Sequence, residues 1–250
     1  MNKTVEYIWI DGTPGSPQVR GKTRVLGEFE APKDWNFDGG STYQGTLEDS
    51  DTILHPVRTY RDPFRREGEN FIVSKDSQSL FGFEQEYTLI GPDGPLETEN
   101  PTQAYCGVGN SKVQGRELAE AHLQACLYAG VGMYGINAEV LIGQWEFQTS
   151  PMDPLKACDD LWVARYILER LSEESNSGYS ISFAPKPVAE GNGAGCHTNF
   201  STWLMRHSIK HIHTAIEKLE WTHMRHIKVY GEGNEARLTG THETSSYYNF

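Results

Sequence analysis

The sequence predicts an α+β fold in which a β-rich front portion precedes a larger portion of mixed helices and strands. Three observations lead to this prediction. Strand-like runs and turn signals fill the first third of the chain, apolar stripes with helical spacing appear only after it, and further strand-like runs lie between those helices. The pattern changes near Ser79, which predicts two domains at residues 1–79 and 80–250.

The front portion is predicted to begin with a hairpin. Residues 6–11 and 22–26 are rich in strand-forming side chains and flank a loop of glycines and prolines. A further strand is expected at residues 83–89, where side chains alternate so that Glu84 and Glu86 lie on one face of the sheet.

Three helices are expected in the larger portion. The first covers residues 116–129 and ends before Gly130, a residue preferred at helix C-termini. Apolar stripes predict the others at residues 159–174, where two aspartates mark the start, and at residues 208–225. The intervening strand-like runs are residues 135–141, 144–148 and 179–183.

Composition and charge exclude several classes of protein. The 250 residues include 34 acidic and 22 basic side chains, a formal net charge of -12, whereas a generic phosphate-backbone binder carries the opposite excess. The four cysteines form no CxxC pair, which argues against a zinc ribbon, a disulfide framework or a thiol-redox protein. The start of the chain has no apolar signal core, and the longest uncharged run contains polar residues. We therefore expect a cytoplasmic protein with neither nucleic acid nor a membrane as a partner.

Four carboxylates occupy strands that are otherwise apolar: Glu84, Glu86, Glu139 and Glu146. One interpretation is that each faces solvent on a half-exposed antiparallel sheet. The other is a cluster of hard oxygen ligands for Mg²⁺ or Mn²⁺ that converges from several strands. Periodicity alone leaves both interpretations open.

A glycine-rich segment at residues 191–201 contains three glycines in five residues and then His197. Glycines let the backbone approach a ligand closely, and a histidine can complete a metal site. The alternative is an ordinary surface turn that ends in a strand. The segment lacks the ending of a phosphate-binding P-loop.

Five segments resemble, in order, motifs of glutamine synthetases of the eukaryotic type. The resemblance runs from about Tyr7 to the end of the chain, and the segments read WNFDGGST (35–42), FGFEQEY (81–87), NAEV through QWEFQ (137–148), NGAGCHTN (192–199) and RLTGTHETS (237–245). It implies a ligase in which ATP phosphorylates the γ-carboxylate of glutamate and ammonia displaces phosphate from γ-glutamyl phosphate. Mg²⁺ or Mn²⁺ would be the cofactor and ATP a co-substrate, since phosphoryl transfer depends on charge neutralisation.

The resemblance also implies an architecture. A small β-grasp domain would precede a catalytic domain built on a curved antiparallel sheet. The subunits would form a homo-oligomer of stacked rings with active sites between subunits, so that Asp38 would serve the metals of a neighbouring subunit.

The motif matches imply roles for individual residues. At one metal they place Glu139 and Glu146 with Glu84 beside them, and at the metal nearer the nucleotide they place Glu86 and His197. The remaining matches are Asp38 and Ser41 at the ammonium site, Glu243 as a catalytic flap residue, Asn192, Gly193 and Arg237 for glutamate, and Glu84, Gln148, Asn199 and Ser201 for ATP. The alternatives are that Asp38 begins an Asx turn and that Glu243 is a solvated loop charge.

The chain departs from the family pattern in several places. The link between Phe71 and Leu80 is short, Leu80 replaces a usual aromatic residue, and Glu190-Gly191 replaces the usual pair in the glutamate loop. The match ends at Phe250, before the family's arginine-rich strand, so we expect an incomplete catalytic domain. These residues alone are expected to bind Mn²⁺ but to form glutamine poorly. The second hypothesis is therefore a catalytically impaired homologue that acts as a structural or interaction subunit.

Overall fold

The computed structural model describes residues 2–46, 50–65, 79–96, 104–175, 178–188, 191–231 and 233–241. The chain forms two compact units. The first comprises Met1–Lys75 and Ala125–Val131, and the second comprises Asp76–Gln124 and Gly132–Phe250. Within the described ranges the strands are β1 (Asn2–Ile10), β2 (Val19–Gly27), β3 (Trp35–Asp38), β4 (Asp51–Leu54), β5 (Ser79–Gly91), β6 (Gly94–Pro95), β7 (Met133–Ala138), β8 (Gln144–Thr149), β9 (Ser180–Ser182) and β10 (Cys196–Thr202). The helices are α1 (Arg116–Ala129), α2 (Pro154–Glu174), α3 (Trp203–His207), α4 (Ile209–Ile227) and α5 (Asn234–Arg237), together with a 3₁₀ turn at Gly40–Thr42.

The first unit contains two antiparallel strand pairs. The expected hairpin is confirmed, because β1 pairs with β2 from Asn2↔Gly27 to Ile10↔Val19. Its connection is held by the buried carboxylate of Asp11, which accepts hydrogen bonds from the backbone N–H groups of Thr13 and Gln18. The second pair joins β3 to β4.

The second unit is built on an antiparallel sheet in the order β10-β5-β8-β7, with β6 and β9 paired to the far end of β5. The strand expected at residues 83–89 is confirmed and extends to Ser79–Gly91. The glycine-rich segment leads directly into β10, an edge strand of this path.

One face of the sheet carries the hydrophobic core. Tyr87, Trp145 and Phe147 are almost completely buried there. His122 of α1 lies edge-on to Phe147, with 5.0 Å between ring centroids, and its Nε2 lies 3.0 Å from the carbonyl of Ala164 on α2. Since strand side chains alternate between faces, this packing directs the glutamates of β5 and β8 to the opposite face.

One helix prediction needs correction. The first helix lies where the sequence predicted it, and Gly130 follows it with a φ of 82°. The second begins at Pro154 rather than near residue 159. Asp153 caps it by accepting a hydrogen bond from the N–H of Lys156, and proline is favoured in the first helical turn.

The third expected helix is confirmed as α4, Ile209–Ile227. Ile209 and Ile216 are exposed in the described part of the chain, so the stripe does not form core there. Within the described residues, no helix is both long and apolar enough to cross a membrane.

Candidate active site

The polar face of the sheet brings the predicted carboxylates into cross-strand register. On β5, Glu84 lies opposite His197 of β10 and opposite Gln148 of β8. Two residues along β5, Glu86 lies opposite Glu146. Directly opposed residues have Cβ atoms about 4.5–5.5 Å apart, so their side chains interact. The register thereby gathers side chains that are distant in the sequence.

Glu84 is hydrogen bonded on both carboxylate oxygens. Nδ1 of His197 lies 3.2 Å from its Oε2, and Nδ2 of Asn199 donates to its Oε1 at 2.8 Å. His197 and Asn199 lie on the same face of β10 because two positions separate them. Glu84 therefore lies directly beside an imidazole.

Glu86 is held by the glycine-rich segment. The N–H of Gly195 donates to its Oε2 at 2.8 Å, and Nε2 of Gln144 lies 3.3 Å from the same oxygen. Burial raises the pKa of Glu86, although the Gly195 hydrogen bond and the nearby His197 oppose that shift. The neighbouring carboxylate of Glu146 raises it further.

Glu139 does not lie on a strand, although the sequence predicted a strand through residue 141. β7 ends at Ala138, and the N–H of Glu139 bonds to the carbonyl of Gln144 in the connection to β8. Its Oε1 accepts a hydrogen bond of 2.8 Å from Nδ2 of Asn137. Burial raises the pKa of Glu139 to about 7, and the charges of Glu86 and Glu146 contribute to the shift. A divalent cation would remove this penalty because it favours the ionised carboxylates.

Two sets of potential ligand atoms share Glu146. In the set of Glu86, Glu139 and Glu146, and in the set of Glu84, Glu146 and His197, all ligand atoms lie within 4.8 Å of one another. This grouping differs from the one expected from the motifs, in which Glu84 accompanied Glu139 and Glu146, and Glu86 accompanied His197. The register of β10 against β5 is the reason, since it places His197 opposite Glu84 and Gly195 next to Glu86.

These residues line an open cleft of about 340 Å³. Its described lining contains four carboxylates and one permanent cation, Arg237. The excess negative charge and the carboxylate oxygens suit hard divalent cations such as Mg²⁺ and Mn²⁺, and an imidazole nitrogen is compatible with Mn²⁺.

The three residues expected to contact glutamate also line the cleft: Asn192, Gly193 and Arg237. A Cβ atom at Gly193 would lie 2.8 Å from Cγ of Arg237, so the arginine packs directly against this backbone. Nε of Arg237 is buried and has no hydrogen-bond partner within the described structure. A buried donor without a partner costs free energy, which a ligand acceptor could recover.

The residues expected to contact ATP divide into two groups. Gln148 lines the cleft, where its Nε2 donates to Oε1 of Glu146 at 2.6 Å, and Asn199 bonds to Glu84. Ser201 continues the same face of β10 and is hydrogen bonded to Nη1 of Arg206 at 2.9 Å. Ser201 is not among the described cleft-lining residues.

Asp38 and Ser41 belong to the first unit. Oγ of Ser41 donates to Oδ2 of Asp38 at 2.5 Å, and the N–H of Gly40 donates to Oδ1 at 3.0 Å. The hydrogen bond from Ser41 holds the pKa of Asp38 below its usual value. This geometry is that of an Asx-type turn and leaves an exposed, ionised carboxylate. Glu243 lies outside the described residues.

Sequence reasoning missed three contributors to the cleft. Asn137 and Tyr105 line it, and Gln144 donates to Glu86 and to the carbonyl of Gly193. Asn137 carried a detectable signal, because it is two residues from Glu139 and shares its polar character. Tyr105 carried none, because no periodic pattern surrounds it.

Comparison with known proteins identifies the class to which this fold and cleft belong. The family description "Glutamine synthetase, catalytic domain" matches residues 61–219. A glutamine synthetase of Candida glabrata is 44% identical, with 98% of this chain and 75% of the relative covered. The glutamine synthetase cytosolic isozyme of Daucus carota is 43% identical, covering 98% and 80%, and the glutamine synthetase of Gallus gallus is 43% identical, covering 98% and 76%.

A solved structure named "GmaS/ADP complex-Conformation 1" has 24% sequence identity and a TM-score of 0.44. The alignment covers 50% of this chain and 29% of the chain in that structure. The sequence matches place the chain in a class of ligases. It belongs to the glutamine synthetase family.

Proposed function

We propose that this chain catalyses the ATP-dependent ligation of ammonia to glutamate through γ-glutamyl phosphate. The observation that carries the proposal is the convergence of two acidic ligand sets on Glu146 in a cleft that also contains Arg237. Members of the family generally use ATP and a divalent metal ion. The donor atoms of the cleft fit that requirement, because carboxylate oxygens predominate.

The proposed metal ligands are assigned from the observed grouping. Glu86, Glu139 and Glu146 would hold one Mg²⁺ or Mn²⁺ ion, and Glu84, Glu146 and His197 would hold the other. Bound there, the ions would neutralise charge on the transferring phosphoryl group. The hydrogen bonds from Gly195 and Asn137 would keep Glu86 and Glu139 oriented for binding.

The substrate assignments use the remaining polar groups. Arg237 would pair with the α-carboxylate of glutamate, which would satisfy its buried Nε, and Asn192 and Gly193 would bind the rest of the amino acid. Glu84, Gln148, Asn199 and Ser201 would contact ATP. Asp38, oriented by Ser41, would accept a proton from ammonium, and Glu243 would shield the intermediate from water.

We further propose a homo-oligomer of stacked rings in which Asp38 serves the cleft of a neighbouring subunit, and a cytoplasmic location. The location is supported by the name of the Daucus carota relative, a cytosolic isozyme. The alternative of a non-catalytic structural subunit receives no support from the relatives described above, which are named glutamine synthetases.

A glutamine assay on the purified chain tests the function. We expect glutamine formation at a low rate, as the sequence predicts for these residues alone, and we expect it to require ATP, glutamate, ammonia and Mg²⁺ or Mn²⁺ together. Glu146→Gln should abolish it, because Glu146 belongs to both ligand sets. Glu217→Gln, on the exposed side of α4, is the matched control and should retain activity. Glutamine formation that persists in Glu146→Gln would contradict the proposal, as would ATP hydrolysis without glutamine.

A further inference from the structure

We propose that Arg165 of α2 is a positioning residue for the active-site cleft, acting from the opposite side of the sheet through Gln85 and Gly195. The proposal rests on the proposed function only for the identity of what the cleft binds. The connection itself is a chain of hydrogen bonds between described residues.

The first link is between Arg165 and Gln85. Gln85 lies on β5 between Glu84 and Glu86, but its side chain is on the core face and is only 3% exposed. Its Oε1 accepts a hydrogen bond of 2.8 Å from Nε of Arg165 and a second one from Nη2. This forked contact fixes which way the amide of Gln85 points, since a carbonyl oxygen must face the guanidinium.

The second link is between Gln85 and the backbone on both sides of the cleft. With its oxygen committed to Arg165, Nε2 of Gln85 donates to the carbonyl of Glu86 at 2.7 Å and lies 3.3 Å from the carbonyl of Gly195. The Gly195 carbonyl also accepts from the N–H of Glu86 at 3.0 Å. Gln85 therefore joins the proposed metal-binding strand to the glycine-rich segment.

The third link is between Gly195 and the cleft groups. Its N–H holds Oε2 of Glu86 at 2.8 Å. A Cβ atom at Gly195 would lie 2.8 Å from Nη2 of Arg237 and 3.4 Å from Nε2 of His197. A small displacement of Gly195 would thus disturb a proposed ligand of each metal and the proposed glutamate-binding arginine.

The environment of Arg165 argues that this connection is more than packing. Among the described residues, no carboxylate forms an ion pair with Arg165, whose guanidinium instead stacks 4.6 Å from the Trp162 ring and 5.0 Å from the Phe183 ring. Burial lowers the pKa of this guanidinium. Arg165 is partly buried. A charge that is partly removed from water without a counterion is costly, whereas a leucine or methionine would fill the space at less cost. Within this environment the hydrogen bonds to Gln85 are strengthened by the low dielectric.

Preorganisation is the expected consequence. Groups that orient metal ligands without touching the metal commonly contribute 10- to 100-fold to affinity. Arg165 acts one residue further away, so we expect Arg165→Met to weaken Mn²⁺ binding by about tenfold, the lower end of that range. In the metal-free protein, the amide of Gly195 should exchange with solvent faster, because its partner Glu86 is less well placed.

The experiment measures Mn²⁺ binding by electron paramagnetic resonance and hydrogen exchange of residues 191–199 by mass spectrometry. Arg170→Met, on the same helix, is the matched control, since Arg170 pairs with the exposed carboxylates of Glu173 and Glu174. Gln85→Glu is the second variant. It keeps an oxygen acceptor for Arg165 but removes the N–H donors to Gly195 and Glu86, so it should also lose about tenfold in affinity.

The double variant decides the route. If Arg165 acts through Gln85, the double variant Arg165→Met with Gln85→Glu should bind Mn²⁺ no more weakly than whichever single variant has the lower affinity. Losses that multiply, or an Arg165→Met protein with unchanged Mn²⁺ affinity and unchanged exchange at Gly195, would overturn the proposal. If Arg165→Met does not fold, Gln85→Glu with wild-type affinity would overturn it. Failure of the unaltered chain to bind Mn²⁺ would instead reject the proposed metal site, and the exchange measurement would still test the positioning role.

Discussion

Replacing Glu139 by glutamine offers a direct test of how the acidic cleft balances stability against metal binding. Burial and two neighbouring carboxylates raise the pKa of Glu139 from an ordinary 4.5 to about 7. In the unfolded chain the group ionises near the ordinary value. The folded state therefore holds a proton over a pH range in which the unfolded state has released it.

This difference in pKa makes the stability of the metal-free protein depend on pH. Below pH 4.5 both states are protonated, so the group makes no contribution. As the pH rises from there to about 7, the unfolded state binds fewer protons than the folded state, and the metal-free protein loses stability. One pKa unit corresponds to about 1.4 kcal/mol, but the side chain is only half-buried and the cleft is open to solvent. A loss of about 1–2 kcal/mol is expected after that screening, equivalent to about 3–6 °C in the melting temperature.

A glutamine side chain at position 139 stays neutral at every pH, so the variant lacks this pH-dependent loss of stability. In the presence of chelator, Glu139→Gln should be less pH-sensitive than the unaltered chain and should melt at a higher temperature at pH 8. Saturating Mn²⁺ should reverse the order, because the variant loses an anionic ligand of the set it forms with Glu86 and Glu146.

Thermal unfolding at pH 5, 6, 7 and 8, with chelator and with Mn²⁺, measures both effects. Glu217→Gln on α4 serves as the control for removal of an exposed carboxylate. A metal-free unaltered chain whose melting temperature parallels that of Glu139→Gln at all four pH values would refute the electrostatic reasoning. Equal stabilisation of both proteins by Mn²⁺ would refute the role of Glu139 as a ligand.

Three further predictions concern residues that position or stabilise the cleft and the sheet beneath it. Gly195→Ala should displace Arg237, whose Nη2 would lie 2.8 Å from the new methyl group, and should raise the KM for glutamate at least tenfold. Gly27→Ala is the control and should leave KM unchanged, because its new methyl group would make only ordinary contacts with Glu30, the nearest atom being at 3.8 Å. Steady-state kinetics measure this, and an unaltered KM in Gly195→Ala would show that the arginine yields without consequence. Phe147→Ala should lower the free energy of unfolding by about 3–5 kcal/mol, because the ring is completely buried between Tyr87 and His122. Denaturant titration measures the loss, and a value below about 1 kcal/mol would contradict the packing argument. Asp160→Asn should cost about 1–3 kcal/mol, because the buried carboxylate accepts from Lys156 and from the N–H of Gly132. The same titration should show Glu217→Gln, at an exposed position of α4, close to the unaltered chain.

The sequence predicted much of the fold because the relevant information is local. Alternation along residues 83–89 indicated which side chains share a face, and the structure confirms the strand as part of β5. Helical spacing and Gly130 located α1. The sequence predicted too late a start for α2, because the two aspartates near residue 159 do not cap it. Asp153 is the cap, and Asp160 is buried and paired with Lys156.

The sequence by itself determined the family and the set of acidic residues in the candidate site, because motifs and side-chain types are written in the order of the chain. Which glutamate accompanies His197 was decided only by the tertiary structure. Glu84 and His197 are 113 positions apart, and the register between β5 and β10 depends on pairing across that distance. The same holds for Arg165 and Gln85, 80 positions apart, whose contact lies beneath the sheet. A sequence pattern reports the face on which a residue lies, whereas only the packed sheet determines which residue lies opposite it.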